Sequence, residues 1–353
     1  MLAWQPIRFK KYNMNKLIKK KHFIGVDISN ETLDLALMEE ESFGAFVDKK
    51  IDNSLTGFEK ITTWLTRQNK TLEDCLFCME HTGTYGLLLF AWLSQMELDY
   101  CVEPGMQIKK SLGMTRGKND KIDARRIAEY ACTNKAKLKA FTMPSTLVLQ
   151  IKQLLTYREQ NIKIRTSLKN SIKSHRQYQR VSGLKAISES ITQQIKQQDV
   201  LIEEIENQII DLIKSDPTVK KNFDLITSVK GIGLVIAAFM LVTTNNFTSF
   251  ENGRKYACYT GIAPFEYASG TSIRGRSRVS YLGNKTMKTL LSNGANSASK
   301  WDPQLRAYYK RKIEEGKDHK LVMNSISCKL VNRMFAVVKR QTPYAAIYEH
   351  NFD

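Results

Sequence analysis

The amino-acid sequence predicts an α/β domain followed by a mainly helical region. Short apolar runs alternate with amphipathic segments between residues 22 and 143, which is the pattern of alternating strands and helices. From residue 147 to residue 213 the apolar residues recur at helical spacing. The chain has 353 residues, enough for about two domains of roughly 150 residues each. We expect a flexible basic arm at 1–21, an α/β domain at 22–143, a coiled-coil connector at 144–216 and a C-terminal domain at 217–345.

The α/β domain is predicted to begin with three antiparallel strands. Ser29 and Asn30 form a turn between the first two strands, and Ser54 or Thr56 caps the helix after the third. Three antiparallel strands followed by α, β, α, β, α is the element order of an RNase H-like fold. The predicted strands are Phe23–Ile28, Leu33–Met38, Phe43–Ile51, Cys75–Glu80 and Leu98–Val102, and the predicted helices cover Phe58–Leu65, Tyr85–Met96 and Asn119–Cys132.

The central region is predicted to be a helical hairpin with a coiled-coil seam. Two apolar stripes at helical spacing run from Leu147 to Ile172 and from Leu184 to Ile209. The sequence Val-Ser-Gly at residues 181–183 separates them. Between Lys152 and Lys185 there are nine basic residues and one acidic residue. A solvated face and a nucleic-acid contact both fit this charge pattern.

The C-terminal region starts with a motif that resembles a helix-hairpin-helix. Lys230, Gly231 and Gly233 lie between the apolar segments Phe223–Val229 and Leu234–Val242. Glycines at such a turn allow backbone N–H groups and a helix N-terminus to approach a phosphate without reading its sequence. A tight helical turn in a protein core explains the motif equally well.

The charge of the chain favours a polyanionic partner. Lys and Arg number 54 and Asp and Glu number 35, so the formal net charge is +19, and the pI is about 9.5. Nucleic acid is the first expectation and an anionic membrane surface the second. The longest apolar stretch, Gly231–Val242, is shorter than the roughly 20 residues of a membrane span. We therefore expect no membrane association.

The N-terminus and the cysteines point to the cytoplasm. The first 22 residues are basic, but no apolar segment of a secretory signal follows them, and Met14 is an alternative start. Six cysteines are scattered along the chain. The pair Cys75 and Cys78 lies inside a predicted strand, so core packing is favoured over zinc. We expect reduced thiols.

Four acidic residues form the first candidate site. Asp27 ends the first strand, Glu80 ends the fourth, and Asp120 and Asp123 begin the last helix of the domain on one face. In an RNase H-like sheet these positions converge, and like charges that close require cations such as Mg²⁺ or Mn²⁺. Two ions about 4 Å apart would stabilise a phosphodiester displacement. The basic neighbours Arg116, Lys118, Lys121, Arg125 and Arg126 fit a phosphate backbone or a surface salt-bridge network.

A serine in the C-terminal region is the second candidate. Ser269 precedes Gly270, so a tight turn could present its hydroxyl, and Arg274, Arg276 and Arg278 could hold a phosphate. No histidine stands nearby in sequence to activate the hydroxyl, and most Ser-Gly pairs are plain turns. The chemistry of the residues alone therefore leaves this site open.

Several motifs resemble those of one transposase family. They are G-V-D-I-S at 25–29, M-E-H-T-G-T-Y-G at 79–86, K-N-D-K-I-D-A-R-R-I-A at 118–128, V-K-G-I-G at 229–233 and G-I-A-P-F-E-Y-A-S-G-T-S at 261–272. The chain is similar over residues 22–340 to the DEDD-type insertion-sequence transposases of the IS110 family, to which the Piv-type invertases are related.

This resemblance implies a RuvC-like domain with Asp27, Glu80, Asp120 and Asp123 at the four acidic positions. It implies a C-terminal transposase domain with Ser269 at the position of the nucleophile. It also implies composite sites formed across subunits of a dimer or tetramer, and a structured guide RNA encoded by the element. One departure is Tyr281-Leu282-Gly283-Asn284, which lacks the usual basic residue. Lys285 or Arg278 is left to make that phosphate contact.

The sequence thus predicts a DNA recombinase of an insertion sequence that uses Ser269 and an Mg²⁺-binding acidic tetrad. One alternative is a RuvC-like metal-dependent endonuclease that does not need Ser269, and another is a DNA invertase. A non-catalytic nucleic-acid-binding protein would need only the charge. An actin-like or sugar-kinase ATPase is disfavoured, because Asp27-Ile28-Ser29-Asn30 lacks the glycine of a phosphate-binding turn.

Overall fold

Five short segments with buried apolar side chains form one sheet in the computed structural model, which describes residues 17–111, 119–269 and 273–345. The chain divides after Met143 into two compact units. The strands of the first unit are β1 (His22–Ile28), β2 (Thr32–Glu39), β3 (Phe46–Asp52), β4 (Cys75–Glu80) and β5 (Tyr100–Glu103). The first unit is therefore an α/β domain, as predicted.

The order of the strands is β3-β2-β1-β4-β5. β1 pairs antiparallel with β2, and β2 pairs antiparallel with β3. β1 pairs in parallel with β4, and β4 pairs in parallel with β5. The predicted adjacency of the first and fourth strands is therefore confirmed, and β1 lies at the centre of the sheet.

Four helices connect and cover these strands: α1 (Leu55–Thr66), α2 (Leu87–Gln95), α3 (Gly105–Ser111) and α4 (Asp120–Thr133). Ser54, the first of the two predicted caps, accepts a hydrogen bond from the backbone N–H of Gly57 at the start of α1. Asn119 caps α4 in the same way. Helix α3 was not predicted from the sequence, and β3 begins three residues after its predicted start at Phe43.

The packing of α4 on β1 depends on Gly25. A Cβ atom at this residue would collide with the backbone of Ala124 and Ala128 in α4. Glycine therefore allows the helix backbone to lie directly on the central strand. This close approach places the first turn of α4, with Asp120 and Asp123, near the end of β1.

Part of the predicted basic arm is folded onto this domain. Residues 1–16 lie outside the described part of the chain. Leu17 is buried, and the ammonium of Lys20 lies 2.9 Å from the carboxylate of Asp99. The expectation of a flexible arm is thus wrong for residues 17–20, because an apolar anchor and a buried ion pair hold them.

The thiols of the strand pair Cys75 and Cys78 are both buried in β4. Burial raises the pKa of the Cys75 thiol to about 12, as expected for a thiol packed among apolar side chains. This agrees with the core interpretation of the C-x-x-C sequence.

The second unit begins with a long helical hairpin formed by α5 (Thr146–Ser182) and α6 (Ala186–Ser215). Gly183 ends α5 with a φ of 73°, a left-handed conformation that favours glycine. Arg158 pairs with Glu206 and Arg165 pairs with Asp199 across the hairpin. The break lies two residues later than predicted, so Leu184 belongs to the connection and is exposed.

The rest of the second unit is mainly helical and shares its core with the base of the hairpin. Buried Ile151 and Ile209 belong to the same apolar cluster as Ile226 and Leu330. The elements are α7 (Pro217–Thr227), α8 (Leu234–Thr243), α9 (Gly253–Tyr259), β6 (Pro264–Ser269), β7 (Ile273–Val279), α10 (Lys285–Trp301), α11 (Pro303–Glu314) and α12 (His319–Arg340).

Helix α12 is long and apolar enough to cross a membrane, with 22 residues and an 18-residue stretch whose mean hydropathy is 1.3. Its apolar side, including Ile326, Leu330 and Met334, is fully buried in the core of the second unit. α12 thus packs as a helix of the protein core, which explains its apolar composition.

Candidate active-site residues

Asp27 is the centre of the acidic cluster in the first unit. It is half-buried at the end of β1, and burial is the largest cause that raises its pKa, to about 6. The negative charges of Asp120, Asp123, Asp34 and Glu80 raise this pKa further, in that order. The structure thus brings the four predicted acids into one electrostatic environment, and it adds a fifth.

Strand pairing explains how Glu80 joins Asp27. Val26 of β1 is paired with Met79 of β4 in parallel register, so the next residues, Asp27 and Glu80, lie at the same end of neighbouring strands. The carboxylate of Glu80 contacts Gly105 at the start of α3, where a Cβ would collide with it. Gly105 therefore provides the space that the Glu80 side chain occupies.

Asp34 is the acid that the sequence analysis missed. It stands directly opposite Asp27 in the antiparallel β1–β2 pair, where two like charges repel each other. The ammonium of Lys50 on β3 lies 3.1 Å from the Asp34 carboxylate and offsets part of this repulsion. An acid in an otherwise apolar strand, Leu33–Met38, was the signal that could have identified it.

Asn53, at the end of β3, was also missed. Its amide donates to the carbonyl oxygens of Ser29 and Tyr85, each at 3.0 Å. These two carbonyls belong to the loops that follow Asp27 and Glu80. Asn53 therefore ties together the two loops beside the acidic cluster, through contacts between distant parts of the sequence.

The chemistry of the cluster fits a hard divalent cation, although its geometry is not that of a closed ligand shell. Carboxylate oxygens are the ligands that Mg²⁺ and Mn²⁺ prefer, and the raised pKa of Asp27 marks an excess of negative charge. Within the described ranges, no three His, Cys, Asp or Glu side chains are grouped closely enough to hold a metal. Metal binding would require the carboxylates to move together.

The basic residues near the cluster are largely paired within the protein. Arg125 donates two hydrogen bonds to Asp48 on β3, and Lys121 lies 3.1 Å from the same carboxylate. Arg126 pairs with Asp123 at 3.0 Å. The salt-bridge alternative therefore describes these three side chains in this structure. The other two predicted nucleic-acid contacts, Arg116 and Lys118, lie outside the described residues.

The two glycines of the α7–α8 turn have different roles. Gly231 has a φ of 94°, and a Cβ there would collide with the carbonyl of Gly294 and with Ala298 on α10. Gly233 is exposed at the start of α8, with nothing within 4 Å of where a Cβ would stand. No side chain caps α8, and Lys230 is exposed beside it. Gly231 thus serves packing, whereas Gly233 leaves a helix N-terminus open.

Ser269 is the last residue of β6. It pairs with Ile273, the first residue of β7, and the connection at 270–272 lies outside the described residues. Arg274 stands opposite Ala268 and Arg278 opposite Phe265, whereas Arg276 falls where the register is irregular. The backbone thus places Ser269 and the three arginines on one β-hairpin.

The Gly-Asn pair after this hairpin has a structural role. A Cβ at Gly283 would collide with Gly261, so the chain passes closely there. The Asn284 side chain caps α10 by accepting from the N–H of Met287, and it donates to the hydroxyl of Tyr259 at 2.9 Å. Lys285 is exposed as the first residue of α10.

Comparison with known families gives two matches along this chain. Residues 24–178 match the DEDD-type IS110 family model, described as a transposase. Residues 223–310 match a second family model, described as transposase of the IS116/IS110/IS902 family. The chain belongs to the IS110 family of transposases. The first match contains all four predicted acids, and the second contains Ser269.

Relatives extend the similarity along most of the chain. The pilin gene-inverting protein of Moraxella bovis is 27% identical over 333 residues, which are 92% of this chain and 98% of that protein. The corresponding protein of Moraxella lacunata is 26% identical over the same length. The uncharacterised 43.6 kDa protein of insertion element IS110 from Streptomyces coelicolor is 32% identical over 140 residues, 40% of this chain and 33% of that protein. Two of these relatives are thus named for gene inversion, and the third for the insertion element IS110.

Proposed function

We propose that this IS110-family protein is a DNA transposase with an RNase H-like, RuvC-like N-terminal domain. Ser269 is the nucleophile, and Asp27, Glu80, Asp120 and Asp123 are the metal ligands. The observation that carries the proposal is the register of the β1–β4 pair, which sets Asp27 and Glu80 at the same end of adjacent strands, and the raised pKa of Asp27 agrees with it. Perturbed ionisable groups that cluster at one edge of a sheet are typical of catalytic sites.

The acids are proposed to act through Mg²⁺ or Mn²⁺. A bound ion would neutralise the cluster and stabilise the charge that develops on the scissile phosphate. Asp27 would be the central ligand because the charges of the other acids act on it. Lys50 would hold Asp34 away from the metal, since it pairs with that carboxylate.

The proposed strand transfer proceeds in two balanced steps. In the first, a bond forms between Ser269 Oγ and phosphorus while the bond from phosphorus to one strand oxygen breaks. The serine proton passes to the departing oxygen. In the second, a hydroxyl of another strand attacks the phosphoserine, which restores a phosphodiester and returns a proton to Ser269. Each step breaks one phosphate ester bond and forms another, so no external energy source is needed.

Nucleic-acid binding is proposed at three places in the second unit. Lys230 and the open N-terminus of α8 at Gly233 could receive a phosphate. Arg274, Arg276 and Arg278 share the hairpin of Ser269. The third place is the outer half of α5, near the tip of the hairpin. Four exposed cations lie there that form no ion pair with any other described residue: Lys169, Lys173, Arg176 and Arg180.

A structured guide RNA and a dimer or tetramer are part of the proposal. The guide RNA follows from the family resemblance, and the basic outer half of α5 offers a surface for it. Exposed Tyr178, Val181 and Leu184 at the tip of the hairpin are apolar enough for contact with another subunit.

A DNA invertase is the second candidate. Two relatives that align over 92% of this chain are named pilin gene-inverting proteins. Transposition and inversion share the same strand chemistry, so the substrate decides between them. A plasmid that carries the element ends in inverted and in direct orientation separates the two functions by its products.

The active-site proposal is tested by recombination in cells. A reporter that scores element movement is combined with the native flanking DNA, which supplies any guide RNA. We expect Asp27→Ala and Ser269→Ala each to abolish movement, while the controls Asp52→Asn on β3 and Ser277→Ala on β7 keep it. Loss with Asp27→Ala but full activity with Ser269→Ala would instead support a metal-dependent endonuclease.

A further inference from the structure

A groove between α11 and α12 lies apart from every residue assigned above. It has a volume of about 800 Å³. One wall is a single face of α11, with Gln304, Tyr308 and Arg311 at helical spacing. The other wall is a face of α12, with Lys329, Asn332 and Arg333. The walls thus carry three cations, two amides and an aromatic ring.

None of the residues that line the groove is acidic, and of its three cations only Arg333 has a close ion pair, with Asp302 outside the lining. Lys329 is exposed and forms no ion pair among the described residues. Arg311 has a side chain 67% exposed and only a loose contact, 3.8 Å, with Glu315. Exposed cations in a concave surface concentrate a positive potential there.

Tyr308 organises two of these cations. The Lys329 ammonium lies 4.6 Å from the centre of the Tyr308 ring, and the Arg311 guanidinium lies 5.8 Å from it. Such cation–π contacts hold a charged group over a ring and leave its other donors free. The ring therefore limits the freedom of two long side chains before any ligand binds.

Arg333, the third cation of the groove, is held by contacts other than Tyr308. Its guanidinium pairs with the buried carboxylate of Asp302 at 2.8 Å, donates to Gln304 and lies 4.7 Å from the Tyr344 ring. These contacts fix its position at the groove. Arg333 is thus a rigid part of the wall, whereas Lys329 and Arg311 are the groups free to bind a ligand.

We propose that this groove binds the phosphodiester backbone of a nucleic-acid strand, through Arg311 and Lys329, with Tyr308 as a positioning residue. Cations and amide donors on both walls match the charge and the acceptor oxygens of successive phosphates. A strand is favoured over a small anion because the groove is open and its cations stand on two helices. The inference rests on the proposed function in one respect, which is the choice of nucleic acid as the polyanion that the groove binds.

The experiment compares two double variants of the full-length chain. Arg311→Gln with Lys329→Gln removes two groove charges, and Arg306→Gln with Lys339→Gln removes two exposed charges of the same helices outside the groove. Each protein is titrated against a labelled DNA duplex of mixed sequence and an RNA duplex of the same sequence. We expect the groove variant to bind about ten-fold more weakly at roughly 0.15 M salt, and the control less than three-fold.

The salt dependence supplies a second readout. For DNA, log K falls as log salt rises, and loss of two phosphate contacts makes this negative slope less steep by about 1.8. Tyr308→Leu should weaken binding several-fold without any change of charge, whereas Tyr308→Phe keeps the ring and should bind as the wild type does. Thermal melting of each variant verifies that the fold is intact.

The outcomes distinguish DNA from RNA as the ligand of the groove. They also distinguish the groove proposal from the proposed recombinase function. A groove-specific loss with DNA, with RNA or with both supports the inference and identifies the strand. Equal losses in the two double variants, or no loss in either, would overturn it. Either result leaves the dependence of recombination on Ser269 and Asp27 as a separate question, which the reporter assay answers.

Discussion

At the scale of single residues, Asp27 is the group whose environment departs most clearly from that of an ordinary carboxylate. Its pKa of about 6 lies above the ordinary 3.8 because of burial and four neighbouring acids. The folded state therefore binds the Asp27 proton more tightly than the unfolded state does. The resulting stabilisation is present below pH 3.8 and is lost as the pH rises through about 6.

The first prediction concerns Asp27→Asn in buffer with a chelator. The amide cannot ionise, so we expect the variant to have a higher melting temperature than the wild type at pH 8. At pH 4, where the wild-type carboxyl is protonated, the two should melt together. Thermal melting across this pH range is the measurement. A difference in melting temperature that stays the same from pH 4 to pH 8 would contradict the raised pKa of Asp27.

The second prediction concerns the metal itself. If carboxylates of the cluster bind Mg²⁺, the ion should stabilise the wild type by about 1.4 kcal/mol at ten times its Kd. Asp27→Asn should lose most of this gain, and Asp52→Asn, on the exposed end of β3, should keep it. Melting at increasing Mg²⁺ measures the effect. Equal responses of the wild type and Asp27→Asn would remove Asp27 from the ligand set.

At the scale of elements, Gly25 and the α4 helix determine where the acids meet. The third prediction is that Gly25→Ala destabilises the N-terminal domain by about 1–3 kcal/mol, because its Cβ would meet the backbone of α4. Chemical unfolding measures this. Ala128→Gly should not restore stability, since the collision is with backbone atoms rather than with the Ala128 side chain. Wild-type stability of Gly25→Ala would contradict this packing.

The fourth prediction uses the open N-terminus of α8. Gly233→Asp supplies the missing cap and should raise stability by about 0.5 kcal/mol. The added carboxylate should also repel a phosphate and weaken DNA binding. Gly233→Asn is the matched control, because it caps the helix without adding charge and should bind more tightly than Gly233→Asp. Equal DNA affinity of the two variants would argue against a phosphate at this turn.

The elements that sequence could predict are those with strong periodicity or caps. The strands follow from apolar runs such as Cys75–Glu80, and the adjacency of the first and fourth strands follows from the element order of an RNase H-like fold. The hairpin break follows from Gly183. The short helix Gly105–Ser111 escaped because seven residues carry too little periodicity. Asp34 and Asn53 escaped because their importance comes from strand register and from contacts between distant segments. The pairing of Arg125 and Lys121 with Asp48 could not be predicted either, because Asp48 lies more than 70 residues away in the sequence.

At the scale of the whole molecule, one chain carries an acidic cluster in its first unit and a serine hairpin in its second. The first family match, 24–178, contains the acidic cluster and extends into α5 of the second unit, and the second match, 223–310, contains the serine hairpin. Each feature alone fits another class of protein, a metal nuclease or a nucleic-acid-binding protein. Their combination in an IS110-family chain supports strand exchange through a covalent intermediate.

The measurement that tests this most directly is detection of protein-linked DNA. Purified protein is incubated with Mg²⁺, end-labelled donor DNA and RNA transcribed from the native flanks, and the products are separated on denaturing gels with and without protease. We predict a protease-sensitive DNA adduct that is absent in Ser269→Ala and Asp27→Ala and present in Ser277→Ala. Free nicked ends that require Asp27 but not Ser269 would contradict the account.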